Sequence, residues 1–225
     1  MKKIYSLLIV LLFVGSAFAQ KKAVINYTAT APEMDGFIED TWEKAASVEK
    51  IDVNFQAEVP TIGSSTWQGL YDDNNFYVVV FADDDNHWPG WESGGNSWEY
   101  DKPEVYWDVN EVLQDGVGVG TNYSGHYQLA DGFLDGSYDM AITTTQSVAG
   151  NINPGGTYAY SLVGEGYVYE MAVPWASFTD KDGNATGLEV LSSRDIGFDV
   201  TVIDQDEGVT TARARANWSN RGAID

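Results

Sequence analysis

Trp98-Glu99-Tyr100-Asp101-Lys102-Pro103-Glu104-Val105-Tyr106-Trp107-Asp108 sets an indole in a loop directly ahead of an acid-bearing strand. At the two-residue period of a strand, Glu104, Tyr106 and Asp108 share one face, and Val105, Trp107 and Val109 share the other. A flat ring beside a rigid row of hydrogen-bonding groups suits a ligand with one apolar face and many hydroxyls, the profile of a carbohydrate. Trp88 and Trp91, in His87-Trp88-Pro89-Gly90-Trp91, are candidates for a second stacking surface at the same end. A second ring matters because covering roughly 80 Å² of one ring face is worth only about 2 kcal/mol. Two rings reach about 4 kcal/mol, near millimolar affinity before the cost of immobilising the ligand.

Acids flank the same loop. Asp83-Asp84-Asp85 precedes it and Asp101 closes it, with Asp108 further along. Ca²⁺ takes six to eight oxygens, so a structural Ca²⁺ held by Asp83, Asp84, Asp85 and Asp101 would fix a loop that has no regular structure of its own. Elsewhere the pattern fits less well. Asp180-Lys181-Asp182-Gly183-Asn184 spaces oxygens like the start of an EF-hand, but Ala185 stands where Gly is required and Leu191 where Glu is. It reads as a polar turn. Arg213, Arg215 and Asn217 alternate with alanines and so share one face, as donors to a sugar or partners of the many acids.

Catalysis has little support. The two histidines, His87 and His126, lie in no zinc spacing and no Ser-His-Asp context. A glycosidase needs two carboxylates across one bond, and 34 acids supply such pairs by chance. With no cysteine, disulfides and thiolate chemistry are excluded. Expected is a binding protein rather than an enzyme.

The positioning elements are strands. Alternating segments bounded by Gly, Asn and Asp recur at 23–29, 65–71, 76–82, 104–110, 125–130, 138–145, 158–163, 167–173, 196–204 and 210–217. Asp72-Asp73-Asn74-Asn75 is a strong hairpin turn. Two short helices are expected, over 38–46 and as a single turn at 174–178. Many strands and few helices predict an all-β, antiparallel β-sandwich of jelly-roll or immunoglobulin-like kind. Eight Trp, 13 Tyr and 9 Phe supply its core.

Lys2 and Lys3, an apolar run from Leu7 to Val14, and Ala17-Phe18-Ala19 read as an export signal over residues 1–19. The mature chain then starts at Gln20 as one domain, 20–225, secreted, periplasmic or at the cell surface. Loss of the two lysines takes the formal charge from −22 to −24. Such a chain repels nucleic acid and anionic membranes, and neither is an expected partner.

The succession of motifs is itself informative. It begins with Met34-Asp35-Gly36-Phe37-Ile38-Glu39-Asp40-Thr41-Trp42 and continues with Gly69 to Val80 running into Asp83. The Trp98–Asp108 strand follows, then Tyr169-Glu170-Met171-Ala172-Val173-Pro174-Trp175 and Ile196-Gly197-Phe198-Asp199-Val200. In this order the chain resembles the family 9 carbohydrate-binding modules of secreted xylanases. The resemblance implies a non-catalytic, calcium-bearing sandwich that grips polysaccharide or oligosaccharide chain ends of xylan or cellulose type between two tryptophans. By motif context Trp98 matches one stacking ring and Glu104 the strand carboxylate that bonds hydroxyls. Tyr106 lies beside it, and Gln128 stands near the family's arginine. The second ring would follow Trp218-Ser219, but no Trp comes after them, so that ring is absent or the module lacks its last strand. Two other readings remain: a haem b sandwich using Met34, Met140 or Met171 with the histidines, and a structural or adhesion subunit.

Overall fold

The computed structural model describes residues 21–54, 63–86, 101–108, 125–134, 137–144, 157–164, 166–178, 195–205 and 214–219, with backbone alone at 108, 125–134, 137–144 and 177. The strands are β1 (Asn26–Tyr27), β2 (Glu49–Lys50), β3 (Val53–Asn54), β4 (Thr66–Tyr71), β5 (Asn75–Ala82) and β6 (Lys102–Asp108). They continue as β7 (Gly125–Leu134), β8 (Ser137–Thr144), β9 (Thr157–Val163), β10 (Gly166–Pro174), β11 (Gly197–Asp204) and β12 (Ala214–Asn217). Among the described residues these strands form two six-stranded sheets. One runs β1-β4-β5-β10-β9 with β2 also on β4, and the other runs β3-β12-β11-β6-β7-β8.

The all-β sandwich is the expected fold. One pairing differs from the all-antiparallel expectation: β1 lies parallel to β4, Asn26 opposite Leu70 and Tyr27 opposite Tyr71. The two-residue strands β2 and β3 carry too few residues for alternation to reveal them. The 23–29 segment pairs only at 26–27, and the described part of the 210–217 segment is β12.

Alternation builds the interior. Phe76, Val78, Val80 and Ala82 of the first sheet meet Val105, Trp107, Val200, Val202 and Ala216 of the second in one apolar core. Phe76 meets Trp107 edge-on at 5.9 Å between centroids, and Trp67 meets Phe198 at 4.7 Å. The opposite face of β5 is also covered: Tyr77 and Val79 join Leu70, Val168, Ala172 and Trp42 in a second core. Burial on both faces explains why β5 and β10 read as nearly continuous apolar runs.

Trp42 sits on a 3₁₀ turn, Asp40–Lys44, where a longer helix over 38–46 was expected. Ala45 N–H bonds to Trp42 O at 3.0 Å, and no side chain caps the start at Glu39, so the coil stays short and tight. The predicted turn after Pro174 is present as a 3₁₀ turn over Trp175–Ser177. The β4–β5 hairpin closes as its acids and amides require. Asp72 Oδ1 accepts from the N–H groups of Asn74 and Asn75 at 2.7 and 2.8 Å.

Candidate functional site

Because β6 is an interior strand whose odd positions fill the core, Lys102, Glu104 and Tyr106 are turned to the outer face of the second sheet. The Tyr106 hydroxyl donates to Glu104 Oε2 at 2.5 Å, and Lys102 Nζ lies 3.5 Å from Glu104 Oε1. Glu104 is 1 % exposed and Lys102 fully buried, so the pair is withdrawn from water. Desolvation makes such a pair costly to assemble and harmful to break on one side only, by about 3–5 kcal/mol. The two contacts hold the carboxylate in one orientation.

Register extends the site across the sheet. Glu104 stands opposite Thr201 on β11, which stands opposite Asn217 on β12; on the other side Glu104 pairs with Gln128 on β7. Directly opposed residues share a face. Asn217, Thr201, Glu104 and position 128 therefore form one row perpendicular to the strands, and Tyr106 opposite Asp199 begins a second. Asp199 ties down the chain after β12 by accepting from Ser219 N–H and Oγ–H, both at 3.1 Å. Arg215 and Asn217 share this face as expected, since Ala216 between them belongs to the core. Of the expected site, Glu104 and Tyr106 are brought into contact, and Gln128 is placed by backbone alone. Trp98, Trp88, Trp91 and Arg213 lie outside the described residues.

The expected calcium ligands gather at one end of the sandwich without forming a tight cluster. Asp83, Asp84 and Asp85 follow β5, Asp101 precedes β6, and Tyr167 Oη–H bonds to Ile203 O at 3.3 Å to join the sheets there. Asp83 accepts from Ser64 Oγ at 2.6 Å, Asp84 from Asn86 N–H at 3.0 Å, and buried Asp101 from Gln205 N–H at 2.6 Å. Among the described residues, the group that brings three carboxylates within 4.8 Å of one another is Asp35, Glu39 and Glu170. That trio was not anticipated, although all three acids sit in quoted motifs. Glu170 Oε2 accepts from Asp35 and Gly36 N–H at 3.0 and 2.8 Å, and Oε1 from Trp42 Nε1–H at 2.7 Å. Burial pushes the Glu170 carboxyl up, against the pull of those donors, and Glu39 adds to the rise. Gly36 takes φ +84°, and a side chain there would collide with the backbone of Tyr160 and Ser161. The trio closes the entry turn onto the first sheet.

With this geometry in view, the comparisons are decisive about family. The chain belongs to the carbohydrate family 9 binding domain-like family, whose profile matches residues 34–224. It is 32% identical over 177 residues, 78% of its length, to the exoglucanase XynX of Acetivibrio thermocellus. It is 30% identical over 177 residues to the endo-1,4-beta-xylanase A of Thermoanaerobacterium saccharolyticum. The chain spans only 14% and 13% of the length of these curated relatives, so the likeness covers one part of each enzyme. In structure it is similar to a family 9 carbohydrate-binding module from Caldicellulosiruptor kristjanssonii solved with cellotriose, with TM-score 0.59 and 16% identity over 90% of this chain and 86% of that one. The same module with glucose gives TM-score 0.56 and 16% identity over 88% and 87%. At that identity the likeness establishes the shared β-sandwich.

Proposed function

We propose that this chain is an exported, non-catalytic carbohydrate-binding module that holds a β-linked oligosaccharide, of cellulose or xylan type, on the outer face of its second sheet. Trp98 supplies the stacking ring and Glu104 accepts hydroxyls. The observation that carries the reading is the Lys102–Glu104–Tyr106 arrangement, a carboxyl group held in one orientation on the strand that follows the aromatic loop in sequence. Family membership and the cellotriose and glucose held by the similar module support the ligand class. Export rests on the amino-terminal pattern.

Retention on cellulose and xylan, and titration with cellotriose, test the reading. Trp98→Ala is expected to abolish retention. Glu104→Asp, which keeps the charge beside Lys102 but retracts it by one methylene, is expected to weaken cellotriose binding about tenfold with the fold intact. Wild-type protein that retains no glycan would end the proposal, and unchanged binding in both variants would move the site elsewhere.

Asp84 and Asp101 are the residues that would hold a Ca²⁺ at the sandwich end, helped by Asp83 and Asp85. They fit in kind, being hard oxygen donors on two segments that topology brings to one end, with Asp84 and Asp101 buried. The ion would supply charge neutralisation and bracing of the loop between them. Melting is then expected to fall by several degrees in chelator and to recover with added Ca²⁺; identical melts would leave these acids as hydrogen-bond acceptors only.

A further inference from the structure

Glu39 carries a polar atom that the closure of the entry turn does not use. Its Oε1 accepts from Glu33 N–H at 3.0 Å, but its Oε2 is withdrawn from water and accepts no hydrogen bond from any described residue. Buried acceptors nearly always have a donor, and their surroundings usually supply it. Here the surroundings supply acceptors instead. One carboxylate oxygen each from Asp35, Glu39 and Glu170 lie within 4.8 Å of one another, and Glu170 is fully buried. The nearby N–H groups are directed at Glu170 and, from Phe37 at 3.0 Å, at Asp35 Oδ1; none reaches Glu39 Oε2.

Charge offers no relief. The entry segment adds Glu33, and the 3₁₀ turn adds Asp40, Glu43 and one cation, Lys44. On the flanking strands Glu170 stands opposite Val79 of β5 and Ala159 of β9. Tyr77 is the titratable residue on that face of β5, and its hydroxyl is bonded to Asp72. Among the described residues no lysine or arginine pairs with any of the three acids. Two carboxyl groups this close and this dry resist being ionised together. One proton between them removes a charge and supplies the missing donor at once.

We infer that Glu39 and Glu170 share a single proton, which makes the entry segment a pH-sensitive latch, tightened in mild acid and loosened when the pair gives that proton up. The titration belongs to the pair rather than to either acid. Burial, with Glu39 adding to it, raises the Glu170 carboxyl above its usual 4.5 in spite of the N–H donors. A folded value above the unfolded one fixes the sign. The stability from the shared proton is whole below about pH 4.5 and is lost as pH rises through the folded value. What loosens is the Asp35–Gly36 bend and the Trp42 indole, both held by Glu170. The inference does not depend on the carbohydrate reading.

Thermal melts of wild type and Glu39→Gln between about pH 4.5 and about pH 8 test it. Gln keeps an oxygen for Glu33 N–H and can set an NH₂ donor where Oε2 stood, so it mimics the protonated pair at every pH. The variant is expected to match wild type at the acid end and to melt about 2–4 °C higher at the alkaline end. A constant interval between the two curves, or none, overturns the inference. Glu39→Ala removes the charge without supplying a donor; if it reproduces the gain of Gln, repulsion alone is at work and no proton is shared. A stabilisation by added Ca²⁺ near pH 8 that wild type shows and Glu39→Gln lacks also overturns it, because a cation then fills the place. Carbon-detected titration of wild type labelled with ¹³C in its glutamate carboxyls is an independent check. One carboxyl is expected to titrate above the exposed glutamates, and a set that titrates together rules the shared proton out.

Discussion

Glu170 and Glu104 are both buried glutamates on interior strands, one in each sheet, and they are put to different ends. Glu170 faces N–H donors: two from the Asp35–Gly36 backbone and one from the Trp42 indole. All three come from one short segment, the Asp35–Gly36 bend and the 3₁₀ turn after it, so the carboxylate closes that segment over the second apolar core. Glu104 instead stands between a lysine and a tyrosine of its own strand, at positions 102 and 106, in a row that crosses the sheet. Those two partners come from the same strand and fix the group's direction along it. Burial and charge alone do not separate a structural acid from a binding one.

The largest expected effect breaks this comparison if it fails. Glu170→Ala leaves two buried N–H groups and a half-buried one without an acceptor, at about 1–3 kcal/mol for each buried group, so a loss of roughly 3–5 kcal/mol is expected in urea unfolding. What remains folded should bind cellotriose at wild-type affinity. Glu104→Asp should show the reverse pattern, with small stability loss and large affinity loss. If Glu170→Ala were stable and failed to bind, the roles assigned to the two acids would have to be exchanged.

The same contrast explains what was legible in the sequence. Strand alternation placed Val105 and Trp107 inside and Glu104 and Tyr106 outside, because a period of two is a local property. The hairpin at Asp72–Asn75 was legible for the same reason: Asp72 caps its own turn. Trp42 was recognisable as a buried plug. Its acceptor was not, because Glu170 lies 128 residues away and nothing in either motif names the other. The row from Asn217 to Gln128 joins four strands out of chain order, so it exists only once register is fixed. The Asp35–Glu39–Glu170 trio was hidden for a related reason: the run 83–85 is dense in sequence, yet the carboxylates found within 4.8 Å of one another join Asp35 and Glu39 to Glu170 on a strand distant in the chain.

A tyrosine–carboxylate pair in each sheet sharpens the comparison at smaller scale. Tyr77 Oη–H donates to Asp72 Oδ2 at 2.7 Å beneath the β4–β5 hairpin, as Tyr106 does to Glu104 on the other sheet. Burial, then the bond to Asp72, pushes the Tyr77 hydroxyl up to about 12 from its usual 10.0. The folded value exceeds the unfolded one, so the stability that the neutral hydroxyl confers is whole below pH 10 and is lost as pH climbs towards 12. The loss is on the order of 2 kcal/mol. Tyr77→Phe should therefore cost about 1 kcal/mol at neutral pH and unfold with a shallower dependence on pH between 10 and 12. Its cellotriose affinity should equal that of wild type, because the hairpin pair serves the fold alone. Parallel alkaline unfolding curves for the two proteins would show that Tyr77 titrates alike in both states and that the Asp72 bond contributes nothing to holding its proton.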